Sequence, residues 1–542
     1  MSRRLRPLAA VLLLAAAAHP AFAQGRGALH ALRTRAELSG FRETSRYADV
    51  VAFMEAVDAA SPEVHLTRFG YTFEGRSLPL AVVGRVSDPS PEAVRASGKT
   101  IVYLQANIHA GEVEGKEALQ NLLRDVGSGQ RAAWLDSLVL LVAPIFNADG
   151  NERVALTNRP HQHGPVAGMG TRNNAQDLNI NRDFTKLDTP EARAQAALMR
   201  AYDPHVLLDL HTTNGTFHAY QMTYAPPLHP ASDSTLVGIV RGRLLPAVTG
   251  RIRSADGWDF HDYGNVPQRE SQWAAAPGAE RGWYTFDHRP RFSNNYWGLR
   301  NRFGILSETY SYLTFEERIR VQQRFVEEVL AYAAANADAI RRETAAADAR
   351  DLRGRELAVR ARLRRTGPVE ILMGGVVEER NPYSGEVMLR RADVRRPERM
   401  PEFTSFEPAE TERVPAAWLL PAALSDVAER LRAHGVRVEP VTAEARMAVE
   451  EFALDSARTA PRESEKRRER TLFGRWRRIE RAIPAGTLRI PADQPLARLA
   501  FILLEPRSDD GLATWGLLDE ALKDAAAYPI LRIPSTSAPA SR

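Results

Sequence analysis

The chain contains no cysteine, although it is 542 residues long. Disulfide bonds and thiolate metal ligands are therefore excluded, so a transition-metal site must be built from histidine and carboxylate groups. Lysine is scarce as well, with five residues, and arginine supplies nearly all of the positive charge. Because the net charge of +5 is small for this length and the arginines are spread along the chain, we expect no nucleic-acid partner.

The N terminus carries an apolar run from Leu8 to Ala18, which is too short to favour a permanent membrane span. The run follows a basic start and precedes the small-x-small pattern Ala21-Phe22-Ala23. This arrangement is typical of a secretory signal peptide, residues 1–23, with cleavage after Ala23. We therefore expect a secreted or periplasmic protein with no stable membrane span in the mature chain.

Residues 45–345 alternate strand-like apolar runs with helix-like segments. The continuous apolar strands predict an α/β fold with a mixed, largely parallel sheet flanked by helices. A long helical stretch closes this region at about residue 350. Shorter strand-like runs follow and predict a C-terminal α+β accessory domain at 365–534, of unknown role, and a disordered tail at 535–542.

Four strand-like runs end in residues that can ionise or bind a metal, and three of them supply His109 and Glu112, His211, and Glu308. The carboxyl ends of strands in one sheet can meet. A histidine and a carboxylate three residues apart can converge on one metal, and a catalytic zinc takes three protein ligands. The best third ligand is His211. The donor set does not choose zinc uniquely, and the H-E-x-x-H signature is absent.

Five motifs in chain order carry a resemblance to a known family: "HAGE" (109–112), "NADGNE" (147–152), "DLNINRDF" (177–184), "LLDLHTT" (207–213) and "ILSETYSY" (305–312). Together they resemble the zinc metallocarboxypeptidases of the carboxypeptidase A type. The resemblance covers roughly residues 45–330 and implies that 24–350 is the catalytic domain. Residues 497–522 resemble the C-terminal part of some bacterial secreted members.

The resemblance implies roles for individual residues. His109, Glu112 and His211 would bind one Zn²⁺ per chain, and Glu308 would be the general base. Asn181 and Arg182 would bind the terminal carboxylate of a peptide substrate, and Arg172 would stabilise the oxyanion. These roles suit an arginine, because its planar fork matches a carboxylate and its charge is fixed.

The sequence departs from the family pattern at several positions. The family motif has an arginine where this chain has Gly111, and Asn179 occupies a place that often holds an acid. The acid that orients a zinc-bound histidine would have to be Asp177 or come from elsewhere. The substrate-capping tyrosine has no clean counterpart, and Tyr284 and Tyr296 are both candidates.

Three further expectations concern the surroundings of these motifs. We expect Glu114 and Glu117 to face solvent. His161 and His163 form an H-x-H pair, for which an exposed loop at the mouth of the cleft is favoured over a second metal site. The aromatic-rich segment 257–298 is expected to form the wall of a specificity pocket.

Three functions follow from these observations. The favoured one is a secreted zinc carboxypeptidase. The second, motivated by Gly111, is a zinc amide hydrolase of the same fold that acts on cell-wall peptides or acylated amino acids. The third, a non-catalytic binding protein on a decayed peptidase scaffold, is disfavoured because the zinc ligands and the base are all present.

Overall fold

The computed structural model describes residue 25 and residues 27–267 and 280–535. The predicted signal peptide and the tail beyond residue 535 lie outside this range, as does part of the aromatic-rich segment. Within it, no helix is long and apolar enough to cross a membrane.

Residues up to about 350, which the resemblance marks as catalytic and which are here called the catalytic region, contain an eight-stranded sheet in the order β1-β2-β4-β3-β5-β9-β6-β7. Its strands are β1 Val64–Tyr71, β2 Ser77–Val83, β3 Thr100–Ala106, β4 Leu138–Ala143, β5 Val206–Thr213, β6 Met222–Ala225, β7 Phe260–Asp262 and β9 Phe303–Tyr310. The central strands β4, β3, β5 and β9 are parallel to one another. The outer pairs β1–β2, β2–β4 and β6–β9 are antiparallel. The predicted mixed, largely parallel sheet is confirmed.

Helices cover both faces of this sheet. They are α1 Arg35–Leu38, α2 Tyr47–Ala60, α3 Pro91–Ala96, α4 Glu114–Gly127, α5 Ala148–Glu152, α6 Pro190–Tyr202, α7 Ser234–Ile239, α8 Leu245–Asp256, α9 Ser293–Leu299, α10 Phe315–Ala335 and α11 Ala337–Asp348. Alternate side chains of β3 enter two cores, Ile101 and Tyr103 on one face and Val102 and Leu104 on the other. Burial on both faces explains why these strands are apolar throughout.

The long helical stretch at the end of the catalytic region is two helices. Asn336 ends α10 with a φ of −121°, and α11 starts at the next residue. The sequence pattern predicted one element here, because apolar periodicity continues across the break.

The C-terminal region begins with a long antiparallel hairpin, β10 Glu356–Arg380 and β11 Val387–Arg413. The short strand β8 Trp283–Tyr284, from the catalytic region, pairs in parallel with β11. Hairpin residues also contact loops of the catalytic region. The main-chain amide of Leu389 donates to the carbonyl of His161, and the main-chain amide of Arg391 donates to the carbonyl of Tyr312.

The remaining C-terminal elements form a six-stranded sheet with three helices. They are β12 Ala417–Leu420, α12 Ser425–His434, β13 Glu439–Pro440, β14 Ala445–Thr459, β15 Arg470–Ile483, β16 Leu488–Pro491, α13 Ala497–Leu504, α14 Asp519–Leu522 and β17 Leu531–Ile533. The charged stretch around residue 475 is the edge strand β15. Tyr296 and Trp297 of the catalytic region share a core with Leu431 and Phe501, so the predicted domain boundary at 350–365 stays a prediction.

Candidate metal centre and active site

The carboxyl ends of β3, β5 and β9 bring together the four residues singled out from the sequence. Parallel pairing aligns Ala106 with Leu210, which places the turn after β3 beside His211. The next pairing aligns His211 directly with Glu308. The sheet therefore positions these side chains at one edge, where ligands bind in α/β folds.

The turn between β3 and α4 makes His109 and Glu112 face each other. Asn107 adopts a left-handed φ of 64° and reverses the chain as it leaves the strand. Its side-chain amide donates to the carbonyl of Glu112 at 3.3 Å, and the Glu112 amide donates to the His109 carbonyl at 2.9 Å. These bonds close a tight turn that presents both side chains to the same space.

His109, Glu112 and His211 form a compact group, here called the histidine–glutamate group. Nδ1 of His109 lies 2.9 Å from Oε1 of Glu112, and Nδ1 of His211 lies 2.7 Å from Oε2. All three residues are buried, and their candidate ligand atoms lie within 4.8 Å of one another. Two imidazole nitrogens and a carboxylate are the donors of a catalytic zinc site with an open position.

A side-chain oxygen lies close to the outer ring nitrogen, Nε2, of each imidazole. Nε2 of His109 lies 3.1 Å from the side-chain oxygen of Asn179, and Nε2 of His211 lies 2.9 Å from Oδ2 of Asp209. Partners on the outer nitrogen fix the ring orientation and leave Nδ1 free to bind a metal. The residues present therefore fit a zinc ion.

Asn179 and Asp209 are orienting residues that sequence reasoning did not assign. The structure corrects the expectation for Asp177, whose exposed carboxylate accepts instead from Asn173 at 2.8 Å. The carboxylate beside a zinc-type histidine comes from Asp209, two residues before His211 on β5. Alternation along the strand was the signal, because residues two apart point to the same face.

Charges around Glu112 keep it ionised. Burial alone would raise the pKa of Glu112, but His109, Arg159 and His211 together lower it well below the usual range. Arg159 is the unexpected member of this set, and its Nη2 lies 2.6 Å from Oε1 of Glu112. No sequence motif pointed to it.

Glu308 lies at the wall of a cavity of about 610 Å³ that opens onto the histidine–glutamate group. Burial raises the pKa of Glu308 to about 8, and the nearby Glu112 adds to this effect while His211 opposes it. A carboxyl group whose pKa lies near neutral pH can both accept and return a proton.

Arg172, Asn181 and Arg182 line the same cavity. Nη1 of Arg172 lies 3.5 Å from Nδ1 of His109. Arg182 stacks on Phe292 at 3.9 Å. Within the described ranges, Arg182 forms no ion pair with a carboxylate, and burial followed by the charge of Arg172 lowers its pKa to about 9. An unneutralised guanidinium in a cavity is a receptor for an anionic group.

The neighbours of Arg182 show that its lack of an acidic partner is local. Arg289 pairs with Asp287, and Arg291 pairs with Asp510 at 2.8 Å. Acidic partners are thus available close by in sequence, but the fold directs them to other arginines. A purely structural ion-pair role for Arg182 is not what the structure shows.

The structure corrects both tyrosine predictions. Tyr296 is fully buried in α9, and its hydroxyl lies 2.8 Å from Nδ1 of His434. Tyr284 stacks on Phe403 at 4.1 Å, and its hydroxyl donates to the carbonyl of Glu280. Neither lines the cavity. The tyrosine that does is Tyr263, which the sequence did not distinguish from other aromatics.

The apolar wall of the cavity comes partly from the aromatic-rich segment. The wall consists of Tyr263, Phe286 and Phe292 from this segment and Leu306 from β9. All four residues belong to one buried cluster. Part of the segment lies outside the described residues. For the part that is described, the expected pocket wall is present.

The prediction that Glu114 and Glu117 face solvent is wrong. Glu117 is buried and accepts from the Thr44 hydroxyl at 2.8 Å and from the main-chain amide of Ser45 at 2.7 Å. Glu114 is buried and lies 3.4 Å from Nε of Arg318. The helix α4 is covered on nearly all sides, and pattern reasoning assumed an open face.

His161 and His163 are not part of a metal group among the described residues. Nδ1 of His161 lies 3.2 Å from the Val387 carbonyl, and Nε2 of His163 lies 2.8 Å from Glu379. Both contacts fasten the loop to the β10–β11 hairpin. The same loop lines the cavity through Thr157, Asn158 and Arg159, as expected for the cleft mouth.

A second group, His229, His288 and Asp509, has the composition of a metal site. The amide of Ala231 donates to Nδ1 of His229 at 3.0 Å, which leaves the ring proton on Nε2. Burial lowers the pKa of His229 to about 3, so the ring is neutral and Nε2, which carries the proton, is not available as a metal ligand. The contact between the two regions within this group is the hydrogen bond between Nε2 of His288 and Oδ2 of Asp509, at 3.0 Å.

Residues 50–288, which contain the histidine–glutamate group, match the family model described as zinc carboxypeptidase. This match confirms the resemblance of that part of the chain to the zinc carboxypeptidases. The chain is 24% identical over 484 residues to carboxypeptidase 2 of Trichophyton equinum, covering 85% of this chain and 81% of the relative. It is 32% identical over 138 residues to an inactive metallocarboxypeptidase of Saccharomyces cerevisiae, covering 23% of this chain and 31% of the relative.

Solved structures that are similar to this chain include a putative carboxypeptidase A from Shewanella denitrificans. The TM-score is 0.39 at 21% identity, covering 54% of this chain and 69% of that chain. A metallo-carboxypeptidase from Burkholderia cenocepacia gives a TM-score of 0.39 at 17% identity with the same coverage. The curated relatives described above are fungal, so the resemblance to bacterial secreted members stays a prediction.

A loop of the C-terminal region, residues 460–469, contacts the segment that contains Asn179. Glu465 accepts from the main-chain amide of Asn179 at 2.7 Å, and Lys466 donates to the carbonyl of Gln176 at 2.6 Å. Because Asn179 orients His109, this loop contacts the support of the metal centre. This role of the C-terminal region was not predicted from the sequence.

Proposed function

We propose that the protein is a secreted zinc carboxypeptidase that removes the C-terminal residue of peptides. The observation that carries the proposal is Arg182, a guanidinium without an acidic partner in the described structure, in the cavity that His109 and Glu112 also line. A free C-terminal carboxylate is the ligand that an arginine fork binds best, through two parallel hydrogen bonds. Secretion is inferred from residues 1–23 alone.

The histidine–glutamate group would hold one zinc ion. Zinc supplies a Lewis acid that polarises the scissile carbonyl and lowers the pKa of water toward 7. Asn179 and Asp209 keep the two imidazoles turned toward it. Asn181 and Arg182 bind the terminal carboxylate and so place the last peptide bond beside this group.

Glu308 would serve as the general base. Its carboxylate accepts a proton from the attacking water and returns it to the amine that leaves. Arg172, beside His109, would stabilise the negative charge that develops on the carbonyl oxygen. The apolar wall formed by Tyr263, Phe286 and Phe292 favours an apolar side chain at the residue that is removed.

A zinc amide hydrolase of the same fold is the second candidate, and Gly111 is the observation that favours it. Without an arginine at this position, one peptide contact expected from the family resemblance is missing. Cell-wall peptides or acylated amino acids would then be the substrates. A non-catalytic binding protein is less well supported, because His109, Glu112 and Glu308 line one cavity and His211 lies against Glu112.

A comparison of matched substrates tests the proposal. Acylated dipeptides ending in phenylalanine, with either a free or an amidated C terminus, should differ in kcat/KM by about 100-fold or more in favour of the free acid, since an ionic hydrogen-bond pair is lost. Arg182→Met should remove most of that difference. Equal cleavage of both substrates by the native protein would exclude a carboxypeptidase and leave the amide hydrolase.

A further inference from the structure

We propose that Arg159 is a substrate-binding residue that holds a backbone carbonyl of the peptide upstream of the scissile bond. The proposal rests on the carboxypeptidase function proposed above. It assigns a role to an arginine that lies in none of the motifs and reaches the active site from the loop 157–170.

The side chain of Arg159 fills the space above Gly111. A Cβ atom added at Gly111 would lie 2.7 Å from Nε and 2.8 Å from Cδ of Arg159. The φ of Gly111 is not in the left-handed region, so its backbone conformation does not require glycine. The requirement is space, because a side chain at position 111 would displace the arginine.

Three arginines line the cavity, and Arg172 is close enough to interact electrostatically with both Arg159 and Arg182. Arg159 contacts Glu112, Arg172 contacts His109, and Arg182 packs on Phe292. If Arg182 binds the terminal carboxylate, the peptide crosses the histidine–glutamate group and its upstream part meets Arg159.

The loop that carries Arg159 is held in place before any substrate binds. Arg159 has a left-handed φ of 50°, and its carbonyl accepts from the main-chain amide of Gln162 at 3.0 Å. The side-chain amide of Gln162 donates to the Gly111 carbonyl at 3.2 Å. Strained backbone of this kind persists where the surroundings enforce it, and a preordered arginine loses little entropy on binding.

One arginine can serve both partners. The guanidinium group has five N–H donors, and its hydrogen bond to Glu112 comes from Nη2. The side chain remains 19% exposed toward the cavity. Donors are therefore left for a peptide carbonyl, the acceptor that every substrate offers at this place whatever its side chains.

The test uses the zinc-loaded protein and an acylated dipeptide with a free C terminus, which offers one carbonyl upstream of the scissile bond. Arg159→Met should raise KM by about 10- to 100-fold and leave kcat within about threefold, as expected for the loss of a charged hydrogen bond. Arg159→Lys should recover part of the loss. The matched control is Arg153→Met, an exposed arginine paired with Glu74, which should keep native KM.

Zinc affinity, measured by competition with a chelator, separates substrate binding from support of Glu112. Affinity within threefold of the native protein supports the proposal. A tenfold loss of affinity with a parallel fall in kcat would overturn it, because Arg159 would then be a positioning residue for a metal ligand. An unchanged KM in Arg159→Met would overturn it as well.

Gly111→Ala provides a second variant that keeps Arg159 in the chain. The added methyl group displaces the guanidinium, so KM should rise in the same direction, and native KM in a folded Gly111→Ala protein would contradict the proposal. The carboxypeptidase function is checked separately. If the native protein does not distinguish free from amidated C termini, that function fails, whereas a native preference with unchanged Arg159→Met overturns only the present inference.

Discussion

Two regions of the active site are built in different ways. The metal-binding edge consists of His109, Glu112, His211 and Glu308, which follow or lie on adjacent strands of one sheet. The arginine side consists of loop residues 157–182 and is fastened by the C-terminal region through Val387, Glu379 and Glu465.

Metal binding and substrate binding therefore depend on different kinds of contact. Strand pairing sets the metal-binding edge through main-chain hydrogen bonds, so neighbouring strands determine which groups meet. The arginine side depends on contacts between residues more than 200 positions apart, such as His163 with Glu379. We therefore expect changes at the edge to abolish the chemistry and changes on the other side to alter substrate binding by smaller factors.

The largest effect should come from the metal-binding edge. Removal of zinc by a chelator should abolish peptidase activity, and one zinc per chain should restore it; His211→Ala should lose the metal. His161→Ala is the matched control, since His161 contacts only the hairpin, and it should retain zinc. Metal analysis and activity before and after chelation give the answer, and a metal-free protein with full turnover would contradict the assignment.

Glu308→Gln should lower kcat by about 10²- to 10⁴-fold with zinc content unchanged, because a positioned base contributes that much. The acid limb of the pH profile of kcat/KM should report Glu308 in the native protein. Only the deprotonated carboxylate accepts a proton, so activity rises with pH. Because burial raises this pKa toward 8, we expect the limb above the ordinary glutamate value of about 4.3.

That limb should disappear in Glu308→Gln. If the residual activity of the variant keeps the same acid limb, another group governs it and Glu308 is not the base. Turnover at the native level would have the same meaning.

The smallest effect should come from the C-terminal contact. Glu465→Ala removes the acceptor of the Asn179 amide and should lower kcat/KM by about three- to tenfold, the size expected for one hydrogen bond. Glu463→Ala, an exposed residue of the same loop, is the control. Steady-state kinetics of both variants decide, and equal activities would show that this loop does not support the site.

Much of the metal centre could be predicted from sequence. Each of His109, His211 and Glu308 follows or ends a continuous apolar run, and such runs are strands buried on both faces. The three-residue spacing between His109 and Glu112 suits a turn that leads into a helix. These are local features, so short windows of sequence contain them.

Other features could not be predicted because they depend on what covers each element. Glu117 looked like a solvent-facing helix residue, yet Thr44 and Ser45 close over it. Tyr296 looked like a substrate cap, yet α9 turns it toward His434 in the C-terminal region. Arg159 belongs to no motif, and it is linked to Gly111 only by the packing of its side chain over that glycine.

The class of fold and the candidate metal ligands could be predicted without the structure, because strand periodicity and strand-end position are local properties of the chain. Only the tertiary structure decided which arginines face the cavity, which acid stands behind His211, and how the C-terminal region touches the site. Those relations depend on packing between distant segments. The side chain at a given position is then selected by its three-dimensional neighbours, as Gly111 and Arg159 show.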